Sequence, residues 1–223
     1  SSQRLYRIVL DPLAREHGHR AVSLMTRDAV ERIINRIGLQ HPSMGNTTRA
    51  VLRRLMGFAV KRGLIAFNPA SGLEMFKTGE HHTWTEAELQ KYESRWPLGT
   101  RERLAYALLL HTTQRIGDVA RMHRRDIIDG AIHVVQEKTG AELHIPISPE
   151  LGEAMRAYPA RGLTLIGTIN GAPLTVRGLS ALMNRAIDRA GLPERCVPHG
   201  LRKASMRRMA ESDATEKQIA SFS

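Results

Sequence analysis

Cysteine is nearly absent from this chain. Cys196 stands alone among 223 residues, which excludes an intramolecular disulfide and a cysteine-built zinc site and fits a reducing, cytoplasmic setting. Aromatic residues make up 4%, and no stacking platform for RNA bases is apparent. No stretch approaches the ~18 to 20 consecutive apolar residues of a membrane span, and the segment from Ser1 to Tyr6 lacks the apolar core of a signal peptide. Familiar catalytic signatures are missing as well: there is no H-E-x-x-H pair, no G-x-x-x-x-G-K-[ST] loop, no G-x-G-x-x-G turn and no dense carboxylate cluster. Metal-dependent nucleases and nucleotide hydrolases lose ground accordingly.

Acidic residues are scarce too. Against 33 Lys+Arg the chain carries 22 Asp+Glu, for a formal net charge of +11. So much unbalanced positive charge points to a polyanionic partner, because binding a phosphate backbone releases its condensed counterions. With 42% hydrophobic and 25% charged residues, the composition is that of a folded protein with a core of useful size.

The first seventy-odd residues carry helical periodicity only. Leu5, Ile8, Val9 and Leu13 predict a first helix with Pro12 as a kink or early stop. Thr26 caps a second, whose stripe is Ala29, Val30, Ile33, Ile34 and Ile37, ended by Gly38. A third starts near Asn46 or Thr47, turns Leu52, Leu55, Met56, Ala59 and Val60 inward, and closes at Gly63. One flank of this bundle is basic, with Arg49, Arg53 and Arg54 on the third helix; a merely solvated face is the plain alternative.

Asn68-Pro69 ends the unit, placing a helical domain over residues 1–76, a linker over 77–83 and a second domain over 84–223. Thr85 and Glu88 form a capping box with Trp84 and Leu89 as its hydrophobic staple. The apolar run from Leu104 to Leu110 reads as a buried helix delivering Gln114-Arg115, followed by an amphipathic stretch from Ile116 to Met122. Alternation then takes over: Ile132, Val134 and Gln136, then Leu143, Ile145 and Ile147, predict a hairpin with Lys138 near its tip. Leu163 to Ile166 is a further strand candidate, and Asn170-Gly171 a turn. Helices return over Thr175–Ala190, His199–Glu211 and from Thr215, where Gln218 completes another capping box. The fold class is α+β, mainly α, with a small antiparallel sheet. Cys196 near His199 could suggest a thiol nucleophile, but beside Val197 it reads as a small packed residue.

The candidate functional residues are cations at element boundaries: Arg115 in Gln-Arg-Ile-Gly-Asp, Lys138 in Glu-Lys-Thr-Gly, and His199 and Arg202 in His-Gly-Leu-Arg-Lys. Singly, each has an ordinary explanation as an ion-pair partner, a turn residue or a cap. In this order, together with Asn68-Pro69-Ala70 and Trp84-Thr85-Glu86, they make a chain that resembles the tyrosine recombinases, the phage-type integrases, over almost its whole length.

The resemblance implies a helical core-binding (SAM-like) domain joined to a catalytic domain, the two clamping duplex DNA. It implies that Arg115 and Arg202 clamp the scissile phosphate, that Lys138 protonates the departing 5′ oxygen, and that His199 is a general acid/base or phosphate ligand. Planar guanidinium forks suit the non-bridging oxygens of a phosphodiester, which gather charge in the transition state. Asp118 is then the buried acceptor that holds Arg115 in its rotamer. Neither metal nor cofactor is required. Lys203, Arg207 and Arg208 join Arg49, Arg53 and Arg54 as candidates for tracking phosphates.

One element of the family pattern is not met. The nucleophile there is a tyrosine downstream of the His-x-x-Arg motif, whereas Tyr6, Tyr92, Tyr106 and Tyr158 all precede His199. The expectation is therefore a site-specific recombinase, tetrameric on DNA when complete and monomeric in free solution, whose C-terminal segment is missing and which is incompetent for cleavage as given. The alternative is a duplex-DNA-binding protein without chemistry, an excision regulator or a recombinase relic.

Overall fold

A computed structural model describes residues 2–159 and 161–211. They fall into two compact units divided after Glu80. The expected capping box at Thr215 and Gln218 lies outside the described residues.

The first unit contains three α-helices: α1 (Ser2–His17), α2 (Arg27–Gly38) and α3 (Pro42–Lys61). α2 begins where expected, with the Thr26 hydroxyl accepting from Ala29 N. α3 begins four residues earlier than Asn46, because Pro42 opens it: a proline's fixed φ and missing N–H cost nothing in the first turn. α1 runs through Pro12 rather than stopping there. The carbonyl of Ile8, which that proline leaves without a donor, lies on a half-exposed residue where water can reach it. The core gathers Val30, Ile33, Ile34, Leu52, Met56, Ala70 and Leu73. Of the expected α1 stripe, Val9 is buried and Leu13 packs against the core, whereas Leu5 and Ile8 are exposed; Leu55 of α3, expected inward, is exposed too.

The second unit orders α4 (Glu86–Arg95), α5 (Arg101–Thr112), α6 (Ile116–Arg121), β1 (Ile127–Ile128), β2 (Ala131–Val135), β3 (Glu142–Pro146), α7 (Pro149–Ala157), α8 (Val176–Arg189) and α9 (Pro198–Glu211). α5 is its axis. Leu104 through Leu110 are all buried, as a helix apolar on every side must be, and α6, α7, α8 and α9 pack around it. The Thr85–Glu88 capping box is present in both directions, and Trp84 and Leu89 are buried beside it.

The three strands form an antiparallel sheet in the order β1-β2-β3, with Ile132 opposite Ile145 and Val134 opposite Leu143. The third strand differs from the sequence expectation. It is Ile127–Ile128, whereas the segment from Leu163 to Ile166 pairs away from the hairpin, through Arg124 N to Leu163 O and Leu165 N to Met122 O, both 2.9 Å. Two residues are too short to show alternation, which is why β1 is silent in the sequence. α7 is also new, although Ser148 before Pro149 is a recognisable start and does cap Leu151 N.

Candidate phosphate-binding site

Arg115 is delivered by an unusual turn. Thr113 ends α5 in the left-handed conformation at φ 59°, a region β-branched residues seldom enter and one that stores strain. Its hydroxyl is hydrogen-bonded at 2.8 Å to that of Ser205 on α9, and both residues are buried. The next residue, Gln114, is buried as well, and Arg115 immediately precedes α6.

The Arg115 guanidinium donates through Nη1 to Gln136 Oε1 at 3.1 Å. Gln136 is itself buried and donates through Nε2 to Gln114 Oε1 at 2.9 Å. Its Oε1 also accepts from the Thr139 hydroxyl at 2.7 Å, in the turn that carries Lys138. One amide thus joins Arg115 to the hairpin tip. The Lys138 side chain is exposed and makes no hydrogen bond or ion pair among the described residues.

Asp118 does not hold Arg115, contrary to expectation. It is buried, and its Oδ1 accepts from Arg121 Nη2 at 2.9 Å and Glu137 N at 3.0 Å, while Oδ2 has no partner. Gln136, directly after β2, supplies the Arg115 acceptor instead. Asp118 faces the other arginine, favouring its charge.

Arg202 projects from the first turns of α9 and is 7% exposed, with a buried Nη1 that has no hydrogen-bond partner among the described residues. Burial and the nearby Arg115 charge both depress its proton affinity, and Asp118 partly offsets them. His199, one turn earlier, sits at the exposed end of this group. Desolvation, His81, Arg202, Lys203 and Arg115 all push its proton affinity below the usual histidine value, which favours the neutral imidazole. Arg202 thus lies within electrostatic reach of Arg115 and Asp118, and His199 within reach of both arginines, while the turn that carries Lys138 is tied to Arg115 through Gln136 and Thr139.

Five of the six other basic candidates have structural partners. Arg49 is half-buried and donates to Leu73 O at 2.9 Å; Arg54 donates to the Tyr6 hydroxyl; Lys203 donates to His81 O at 3.0 Å. Arg207 and Arg208 both pair with Glu86, at 2.9 and 3.1 Å. Of these six cations, Arg53 is the one whose exposed side chain has no hydrogen bond or ion pair among the described residues.

Three potential metal ligands do gather in this unit: His82, Glu88 and Cys196, with ligand atoms within 4.8 Å of one another. Glu88 is already occupied. Its carboxylate is hydrogen-bonded to His82 Nε2 at 2.7 Å, Thr85 N at 2.8 Å and Arg195 Nη2 at 3.2 Å. Burial and the Glu88 carboxylate push the Cys196 thiol up to about 12, so it is an inert proton donor rather than a nucleophile or a ready ligand. The group works as a clasp joining the start of α4 to the α8–α9 loop.

Comparison with known proteins gives this arrangement its family. The model of the phage integrase family matches residues 86–223. The chain belongs to the phage integrase family. Integrase of Escherichia phage HK022 is 30% identical over 174 residues, 71% of this chain and 48% of that one. Tyrosine recombinase XerC of Proteus mirabilis is 26% identical over 200 residues, 83% of this chain and 64% of that one. The chain thus spans about half the length of the first of these relatives. Among solved structures, a lambda integrase dimer bound to a COC′ core site superposes with a TM-score of 0.85 at 23% identity, covering 97% of this chain and 85% of that one. The lambda integrase tetramer bound to a Holliday junction gives 0.84 at 24% identity, covering 97% and 69%. These likenesses show the integrase fold: mainly helical, with a small three-stranded antiparallel sheet.

Within that family fold, Gln114, Gln136, Thr139, Ser205 and His81 are the site residues that sequence reasoning missed. A signal existed for Gln136. It occupies an inward position of the hairpin alternation, and a polar residue placed inward needs a polar partner.

Proposed function

We propose that the chain is the phosphate-activating portion of a site-specific DNA recombinase, with Arg115, Lys138, His199 and Arg202 as its cationic machinery. The observation that carries this reading is the buried Arg202 guanidinium with an unpaired Nη1, repelled by Arg115. A buried arginine repelled by a second, half-buried one costs stability unless an anion joins them. A phosphodiester supplies that anion, and both forks stabilise the charge that grows on its non-bridging oxygens.

In the reaction so framed, a tyrosine Oη attacks phosphorus, the P–O5′ bond breaks, and the departing 5′ oxygen takes a proton from Lys138. The neutral His199 accepts the tyrosine proton. Attack of the freed 5′ hydroxyl on the 3′-phosphotyrosine reverses the step and keeps the ester energy. The two core tyrosines here are committed elsewhere: Tyr92 donates to Glu102 O and Tyr106 to Glu93, and burial makes both phenols much weaker acids than an ordinary tyrosine. On this reading the attacking tyrosine is none of the four in these 223 residues, and the working assembly is a tetramer on duplex DNA. A cytoplasmic, nucleoid-associated setting follows from that substrate.

The test is a denaturing gel after incubation with duplex DNA. The 223-residue polypeptide binds duplex with strong salt dependence and leaves no covalent adduct. A polypeptide continuing through a nucleophilic tyrosine forms one, and Arg115→Ala or Arg202→Ala abolishes it while leaving binding within about tenfold. An adduct that persists in both variants overturns the assignment, and duplex binding with no adduct from any longer polypeptide favours the non-catalytic reading.

A further inference from the structure

The segment from His81 to Trp84, the first residues of the second unit, is strapped onto the start of α9. Lys203 Nζ donates to His81 O at 3.0 Å. Trp84 Nε1 donates to Val197 O at 3.1 Å, and His82 is held by Glu88 at 2.7 Å. The approach is close enough to require glycine on the helix: a Cβ on Gly200 would stand 2.3 Å from His82 O and 2.6 Å from Trp84 Cδ1. This strap brings the His81 ring against His199, edge to face, with centroids 5.0 Å apart and planes at 63°.

We propose that His81 is a positioning residue of the phosphate site, fixing the orientation of the His199 imidazole through its ring and controlling the charge that His199 carries. The inference rests on the functional reading above only for the reaction it serves. His199 is faced by His81 from the strap, by Arg202 and Lys203 from its own helix and by Arg115 from the residue before α6. The arginines and the lysine are cations at every working pH. His81 adds a repulsive contribution of its own, and its ring also takes part of the His199 surface from water. Both effects disfavour the imidazolium. His199 thereby stays available as a proton acceptor in the neutral range, and a displacement of the strap would release it toward the charged form.

The test is a histidine ring-proton titration by NMR on the intact chain without DNA, with the His199 resonance assigned by its loss in His199→Gln. His81→Ala raises the His199 midpoint by about 0.3 unit or more and abolishes the cross-peak between the two rings. His81→Phe keeps a ring in place; a rise there as well assigns the effect to charge, and a rise in His81→Ala alone assigns it to contact, each in keeping with the proposal. A His199 midpoint that is unmoved or lowered in both variants, with the Trp84 near-ultraviolet signal intact, overturns it. Such a result would leave the phosphate site standing, since the adduct assay reads that separately.

Discussion

Gln136 Oε1 receives the Arg115 guanidinium at 3.1 Å while the same atom receives the Thr139 hydroxyl at 2.7 Å. The arginine and the lysine-bearing turn are thereby registered by one buried carboxamide. Replacing Gln136 with Leu keeps the volume and removes the amide that Arg115, Gln114 and Thr139 share. Urea unfolding should show a loss of about 1 to 3 kcal/mol, with weakened duplex binding at fixed salt. Unchanged stability together with unchanged binding would show that the amide registers nothing.

Arg202 is expected to behave in the opposite sense. Its charge is buried, repelled by Arg115 and left with an orphaned Nη1, so Arg202→Met should leave the urea midpoint unchanged or raise it. The same substitution in a polypeptide that continues through a nucleophilic tyrosine should abolish the covalent adduct. A destabilisation above about 2 kcal/mol would mark Arg202 as a structural ion-pair member instead.

Acid should open the clasp at Glu88. Burial raises its proton affinity, but the hydrogen bonds from Thr85, His82 and Arg195 outweigh that and hold the carboxyl at about 2, against 4.5 for the free group. A folded-state value below the unfolded one contributes stability that is present above about pH 4.5 and is lost as pH falls toward 2. Urea midpoints at pH 5 and pH 2.5 should differ more for the native chain than for Glu88→Gln. Equal acid sensitivity in the two chains would rule the clasp out.

Gly200 offers a test of the strap by size alone. Gly200→Ala would ordinarily favour a helix by about 1 kcal/mol, yet here the added methyl meets the His82 carbonyl and the Trp84 ring. Thermal unfolding should show a net loss of about 1 to 3 kcal/mol. A stabilised variant would mean that the strap yields without cost.

Much of this fold can be read from local rules. The Thr26 and Thr85 caps, the buried α5 run and the β2–β3 hairpin each follow from a spacing or a cap that one sequence displays. What escapes is set by tertiary company. The two-residue β1 exists only as a partner of β2, and of the α1 stripe Leu5 and Ile8 are exposed while Val9 is buried, a division that periodicity does not show. The site divides in the same way. Arg115, Lys138, His199 and Arg202 stand out by charge and order, whereas Gln136, Ser205 and His81 matter only through contacts across 21, 92 and 118 positions of sequence. Asp118 illustrates the hazard: three residues from Arg115, it was the natural acceptor by proximity, and it serves Arg121 and the Glu137 amide instead.

The most direct measurement follows the arginine side-chain nitrogens of Arg115 and Arg202 by NMR while a short DNA duplex is titrated into the labelled 223-residue chain. It requires neither a known target site nor a nucleophile. The account predicts that both guanidinium groups shift together as phosphate fills the space beside the unpaired Nη1 of Arg202, and that excess salt reverses the change. Shifts confined to exposed arginines such as Arg53, with Arg115 and Arg202 unmoved at saturation, would contradict it.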